Sequence, residues 1–308
     1  MAPVTGPPGV RSQRRVAGIV GAALACGLLA ACAVTPDDAG PGPATLTDAD
    51  EALLKRAELL LVQACMKRQG FRYWVPEPPA AQDRRGAGFV LDDPAWAREH
   101  GYGLLDQRQM EESKRNDLNK AYRDSLPPAD RTRYSVALGG GGDNKVLTAT
   151  LPDGGTIHNA LGGCQAYGKE RLYGDRQRWF RLEKTATNLV PLYMRELTGD
   201  PRFSTALTAW SACMRRHRHT YVSPSEIRAA LPGLTADLAP DRAHALEVEL
   251  AVAEATCART SSLADTVRAL QARYRAKVHE RFAAELDAHG RVVRGALERA
   301  RKISESGA

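Results

Sequence analysis

Four side chains with ligand chemistry crowd into residues 211–224, SACMRRHRHTYVSP: Cys213, Met214, His217 and His219. A thiolate, a thioether and two imidazoles are the donors that soft metal ions such as copper prefer. A thiolate beside an imidazole is also a redox or nucleophilic combination. The same residues fit a plainer role, in which Cys and Met sit at the buried end of a helix and Met fills the core.

A second copy of the pattern separates these readings. Residues 64–76, ACMKRQGFRYWVP, align without a gap to residues 212–224, ACMRRHRHTYVSP. Ala, Cys, Met, the second Arg, Tyr and Pro coincide, so Tyr73 and Tyr221 both fall eight residues after their cysteine. His217 and His219 are matched by Gln69 and Phe71, neither of which is a ligand of the same kind. What recurs is the Cys-Met helix end and its Tyr and Pro exit. The scaffold reading is therefore preferred, no metal or cofactor is expected, and a copper site on Cys213, Met214, His217 and His219 is kept as the alternative.

Other constellations that carry chemistry are missing or incomplete. Gly139–Gly142 is a glycine run without the Gly-Lys-Ser/Thr that a phosphate loop requires. The chain has no Gly-x-Ser-x-Gly, no His-Glu-x-x-His and no Cys-x-x-Cys. His158 and Asp153 lie close enough in sequence for a dyad, but a turn Asp and a strand His need no function. Asp92-Asp93 before Pro94 reads as a helix N-cap. Phe71, Trp74 and Trp210 could wall a groove, though core packing suits them as well. No catalytic residue is assigned, and an envelope hydrolase with a site built from distant residues is the remaining enzymatic alternative.

The N-terminus addresses location. Arg11, Arg14 and Arg15 precede VAGIVGAALACGLLAA, residues 16–31, a basic then apolar order typical of export signals. The apolar run is short and Gly/Ala-rich for a span of about 20 residues. Leu29-Ala30-Ala31-Cys32 is a lipobox: small residues enter a peptidase groove and the Cys32 thiol takes the lipid. Cleavage would remove residues 1–31 and leave a diacylglycerol- and palmitate-type anchor on Cys32. Two or three acyl chains hold stably where one does not. Arg14-Arg15 leaves the twin-arginine route open beside the general one. Residues 33–46, Pro/Gly/Ala-rich, read as a tether.

The net charge of +7 includes the three arginines of the leader, so the mature chain is close to balanced and carries no nucleic-acid signature. Residues 259–302 are locally basic, either a solvated helix face or a surface near anionic lipid.

The mature chain retains Cys65, Cys164, Cys213 and Cys257 besides Cys32. An even number in an oxidising compartment favours disulfides. The repeat suggests one bridge per half, Cys65–Cys164 and Cys213–Cys257, each pinning a Cys-Met helix to the start of the next long helix. Cys65–Cys213 with Cys164–Cys257 remains the other pairing considered. Each bridge would contribute up to about 4–5 kcal/mol in the chain-entropy picture.

Periodicity predicts a mainly α fold, a helical bundle of two related halves with one small β-hairpin. Thr47 and Asp50 open a first helix that Gly70 closes. Asp200-Pro201 opens the second Cys-Met helix. Further helices are expected near 106–123 and 127–138, over 168–198 with a kink at Pro191, and over 263–302 with weakening at Gly290 and Gly295. KVLTATL and TIHNAL flank Pro152–Gly155 as a hairpin. The expected segments are a signal peptide (1–31), a lipidated tether (32–46), a first helical half (47–198) and a second (199–308).

Cys-Met-x-Arg at 65–68 and 213–216, REHGYG (98–103), LPPADRTRYSVALGG (126–140) and GGCQAYGKERLYGD (162–175) carry a resemblance. With these motifs the chain resembles a group of actinobacterial secreted lipoproteins with a duplicated Cys-Met helix. The resemblance covers most of the mature chain. It implies an extracytoplasmic, membrane-anchored location and a helical scaffold, and brings no activity. The expected function is a non-enzymatic binding or scaffold lipoprotein of the cell envelope. Its expected partners are the membrane, through the lipid, and an envelope protein, peptide or wall polymer.

Overall fold

The computed structural model describes residues 46–76, 89–104 and 115–306; Cys32, the lipobox and most of the tether lie outside them. Pro43–Ala308 forms one compact, mainly helical unit.

Helix α1 (Asp48–Arg68) starts at a capping box. Thr47 Oγ1 accepts from the Asp50 N–H at 3.1 Å, and Asp50 accepts from the Thr47 N–H at 3.2 Å. The helix buries Leu54, Ala57, Val62, Cys65 and Met66. Asp93 caps the short helix α2 (Pro94–His100) by accepting from the N–H groups of Ala95 and Trp96. Helix α3 (Leu118–Ser125) overlaps the end of the region expected near 106–123, of which residues 106–114 lie outside the described residues. Helix α4 (Pro128–Gly139) follows, with Pro at its start as first-turn geometry favours.

The hairpin forms as β1 (Leu147–Thr150) and β2 (Thr156–Asn159), with Ala149 opposite Ile157 and Thr148 opposite His158. Leu147 and Ala149 turn inward onto Phe180.

The stretch 168–198 is three helices rather than one kinked helix. Helix α5 (Gly163–Tyr173) ends at Gly174, φ 82°, and Asp175 then caps α6 (Arg176–Thr187) by accepting from the Arg178 N–H. After Asn188 the chain restarts as α7 (Val190–Thr198), so Pro191 occupies a first turn and kinks nothing.

Helix α8 (Pro201–Arg216) carries the second Cys-Met end, followed by α9 (Pro224–Thr235) and α10 (Pro240–Thr260). The expected final helix is two: α11 (Leu263–Arg281) and α12 (Ala283–Ser306). The break falls at Phe282, where Phe282, Val278 and Leu286 gather with Leu189 and Tyr193 into a local core. Gly290 and Gly295 lie within continuous helix instead, Gly290 on its buried side. Tertiary packing outweighs the roughly 1 kcal/mol helix penalty of each glycine.

The two sequence halves interleave. Helix α12 from the end of the chain packs on α1, α5 and α6, sharing a core of Leu54, Ala57, Leu172, Trp179, Val293 and Ala296. Segment 89–104 from the first half crosses over to α10, where Leu91, Trp96 and Tyr102 join Trp210, Met214 and Ile227 in the largest core. The boundary drawn at 198/199 is a boundary of sequence pattern and not of packing. No helix among the described residues is long and apolar enough to cross a membrane.

Candidate functional site

The repeated motif folds into the same hook twice. Helix α1 ends at Arg68 and α8 at Arg216, matched positions of the repeat. Gly70 then takes φ 82° and Arg218 takes φ 66°. The Phe71 N–H donates to the Met66 carbonyl, and the His219 N–H donates to the Met214 carbonyl, both at 3.0 Å. These are the backbone bonds of a left-handed helix terminus. Gln63 Nε2 donates to the Tyr73 carbonyl at 2.8 Å, and Ser211 Oγ donates to the Tyr221 carbonyl at 2.8 Å. Met66 and Met214 are fully buried.

Each hook is riveted by a disulfide. Cys65 is bonded to Cys164 with Cα atoms 5.5 Å apart, and Cys213 to Cys257 with Cα atoms 5.6 Å apart. Both separations are ordinary for a disulfide. The partners differ in placement. Cys164 lies in the first turn of α5, whereas Cys257 lies near the C-terminal end of α10, not at the start of a long helix as expected. The repeat therefore extends over the hook and stops there.

The metal set Cys213, Met214, His217 and His219 is not assembled. Cys213 Sγ is committed to Cys257, Met214 belongs to the core, and His219 Nε2 lies 3.7 Å from Glu249 Oε1. His217 stays with the sulfurs: its ring and the Cys213 and Cys257 sulfurs have donor atoms all within 4.8 Å of one another. With both thiols oxidised to the disulfide, the sulfurs offer no thiolate. Thr260 Oγ1 lies 3.7 Å from Cys213 Sγ.

Sequence reasoning missed two buried carboxylates on α10. Glu247 is 2% exposed and Glu254 is fully buried. Seven residues apart, they share a helix face with Leu250, Ala251 and Ala258. The legible signal was two acids at positions that the apolar stripe of α10 requires inside. Both fasten segment 89–104. Glu247 Oε1 accepts from the N–H groups of Tyr102 (2.6 Å) and Leu104 (3.0 Å). Glu254 Oε1 accepts from the Leu91 N–H (2.9 Å) and Arg228 Nη2 (3.0 Å), and Glu254 Oε2 accepts from the Tyr102 hydroxyl (2.8 Å). The Arg228 guanidinium also lies 5.1 Å from the centre of the Tyr102 ring.

Burial raises the Glu254 pKa above the ordinary carboxylate value, partly offset by Arg228 and the Leu91 N–H. Burial and then the Glu254 charge push the Tyr102 hydroxyl far above its usual range. Both oxygens of Glu254 have donors, whereas Glu247 uses Oε1 for the chain and turns Oε2 to His244 Nδ1 at 3.6 Å, so the two carboxylates act as a clasp on the chain. Gly101, in REHGYG, serves the same clasp. Its φ is 60°, and a Cβ there would stand 2.7 Å from the Glu247 side chain.

The remaining sequence candidates serve the scaffold. Asp153 accepts from the Gly155 N–H in the hairpin turn, and His158 Nδ1 pairs across the strands with Thr148 Oγ1, so no dyad forms. Asp92 pairs with Arg268. Trp210 is fully buried, its Nε1 donating to the Glu254 carbonyl at 3.3 Å. Phe71 and Trp74 pack edge-on against Tyr134 and Tyr122. Both also flank a surface hollow of about 700 Å³ with Lys67 and Arg72. Asn119 ties the exit segment down, exchanging two 2.8 Å hydrogen bonds with the Trp74 backbone.

Comparison with family models, curated proteins and solved structures gave no match.

Proposed function

We propose that this chain is an extracytoplasmic lipoprotein of the cell envelope, anchored through lipid on Cys32, that acts by binding or scaffolding rather than by catalysis. The observation that carries the proposal is the Leu29–Cys32 lipobox behind a basic and then apolar leader. The two disulfides support it, because structural bridges persist in oxidising compartments. The buried Glu254 supports the non-enzymatic part, since both of its oxygens are spent on holding chain segments. The resemblance to actinobacterial secreted lipoproteins points the same way. Its partner would be an envelope protein, peptide or wall polymer.

Labelling with a clickable palmitate analogue tests the anchor. The wild-type chain should take up label and sediment with membranes, and Cys32→Ala should do neither. An unlabelled, non-sedimenting wild-type chain refutes the anchor. Cross-linking in intact cells should recover an envelope partner. Turnover of wall or peptide substrates by purified protein, abolished by one side-chain change, would refute the non-enzymatic reading.

A further inference from the structure

We propose that Cys213, Cys257 and His217 form one redox-gated site, closed as a disulfide and, when a dithiol opens it, able to bind a single thiophilic d10 cation such as Zn²⁺ or Cu⁺. This site differs from the set suggested by the sequence. Cys257, remote in the chain, joins Cys213 and His217, while Met214 is fully buried in the core and His219 lies against Glu249.

The geometry requires little movement. The three donor atoms already lie within 4.8 Å of one another. A tetrahedral Zn²⁺ with Zn–S of about 2.3 Å and Zn–N of about 2.0–2.1 Å sets its ligand atoms roughly 3.6–3.8 Å apart. Once the bridge is reduced, the two sulfurs are no longer bonded to each other and can move apart to that spacing. The scaffold suits such an adjustment. Cys213 and His217 are four residues apart at one helix end, and the His217 N–H donates to the Cys213 carbonyl. Cys257 approaches from the last turns of α10. His217 is exposed while both cysteines are buried, so the imidazole marks the entry side.

The first hook is a control within the same molecule. Its cysteines are bridged in the same way, but Gln69 stands where His217 stands. Once reduced, it offers two sulfurs and no imidazole, so selective metal binding at the second hook is a consequence of one side chain.

The chemistry balances. A dithiol gives two electrons and two protons to the Cys213–Cys257 bond, becoming a disulfide while two thiols form. The cation then displaces both thiol protons to solvent and takes the imidazole as its third ligand, leaving one position for water. Disulfide and metal exclude each other because they use the same sulfur electron pairs. The site does not depend on lipidation of Cys32, so its failure and the failure of the anchor are separate results.

The test uses the full chain in detergent, reduced by a water-soluble phosphine that adds no thiols, and titrated anaerobically with Zn²⁺ and with Co²⁺ as a spectroscopic probe. Reduced wild-type protein should bind one ion tightly, with thiolate-to-cobalt charge-transfer absorption, and oxidised protein should show none. His217→Gln should weaken Zn²⁺ binding by more than tenfold, at least the effect of losing an outer-shell partner. The same variant should leave thermal unfolding of the oxidised protein unchanged. Gln69→His should add a second bound ion. A second measurement covers loss of structure on reduction: during air reoxidation, Zn²⁺ should delay the Cys213–Cys257 bridge and not the Cys65–Cys164 bridge, read by peptide mapping. Equal binding by wild type and His217→Gln, equal delay of both bridges, or binding by the oxidised protein would overturn the proposal.

Discussion

Arg218 adopts, at the end of α8, the left-handed backbone that Gly70 adopts at the end of α1, with φ 66° and 82°. The bonds around the two residues match: the N–H of each donates to the carbonyl three residues earlier, Arg215 for Arg218 and Lys67 for Gly70, at 3.0 Å. One copy of the hook thus makes the turn with the residue suited to it, and the other forces an arginine into it. L-residues with a side chain pay roughly 1–2 kcal/mol for this conformation.

Arg218→Gly should therefore stabilise the protein by about 0.5–1 kcal/mol, the relief of strain being partly offset by the freer unfolded chain. Gly70→Ala should destabilise by about 1 kcal/mol through backbone strain alone, since a Cβ at Gly70 meets nothing within 4 Å. Urea midpoints of the two variants, moving in opposite directions, check both.

Gly101→Ala should be far more damaging. It combines a positive φ with a Cβ 2.7 Å from the Glu247 carboxyl group, and the expected loss is about 2–4 kcal/mol. Amide hydrogen exchange should quicken first at Tyr102 and Leu104, whose N–H groups Glu247 holds. Glu247→Ala should quicken the same amides, and the double variant should add little to either.

Removing either bridge by paired Cys→Ala substitution should cost stability that rises with the logarithm of the loop released. The bridges span 99 and 44 residues, which the chain-entropy relation converts to upper figures of about 4.7 and 4 kcal/mol. The Cys65/Cys164 variant should show the lower melting temperature of the two in calorimetry.

Two carboxylates should give opposite pH dependences. Arg202, then the Tyr274 hydroxyl and the Arg202 N–H, hold Asp200 well below its ordinary 3.8. Its contribution is complete above that value and is lost as pH falls through the lower folded-state pKa. Burial raises Glu254 above its ordinary 4.5. There the unfolded chain releases its proton first, so stability declines as pH rises from 4.5 to the folded-state value. Melting temperature against pH should show a flattened acid limb in Asp200→Asn and a flattened decline above pH 4.5 in Glu254→Gln.

Much of the scaffold was legible because it is written locally. Thr47 and Asp50 announce their capping box, Pro201 opens a helix, and Asp153-Gly154 closes the hairpin. The hook was legible because it occurs twice: Gln69 opposite His217 points to scaffold from the sequence alone. The breaks at Gly174 and Phe282 were harder to read. Apolar spacing continues through both, and the second is set by contacts with Leu189 and Tyr193, distant in the chain. Glu247 and Glu254 escaped notice because an acid in a helix is normally solvated, and only the approach of segment 89–104 and of Arg228 puts donors against them.

By itself the sequence determined the helical class, the hairpin, the hook and the expectation of an export signal, since each depends on spacing within a few turns of chain. Tertiary structure alone decided that α12 returns to α1, that segment 89–104 is clasped by α10, and that His217 stands beside two sulfurs, one of them forty residues away in the chain. Those contacts join residues far apart in sequence, where no local propensity acts and only the burial of shared surface selects the partner.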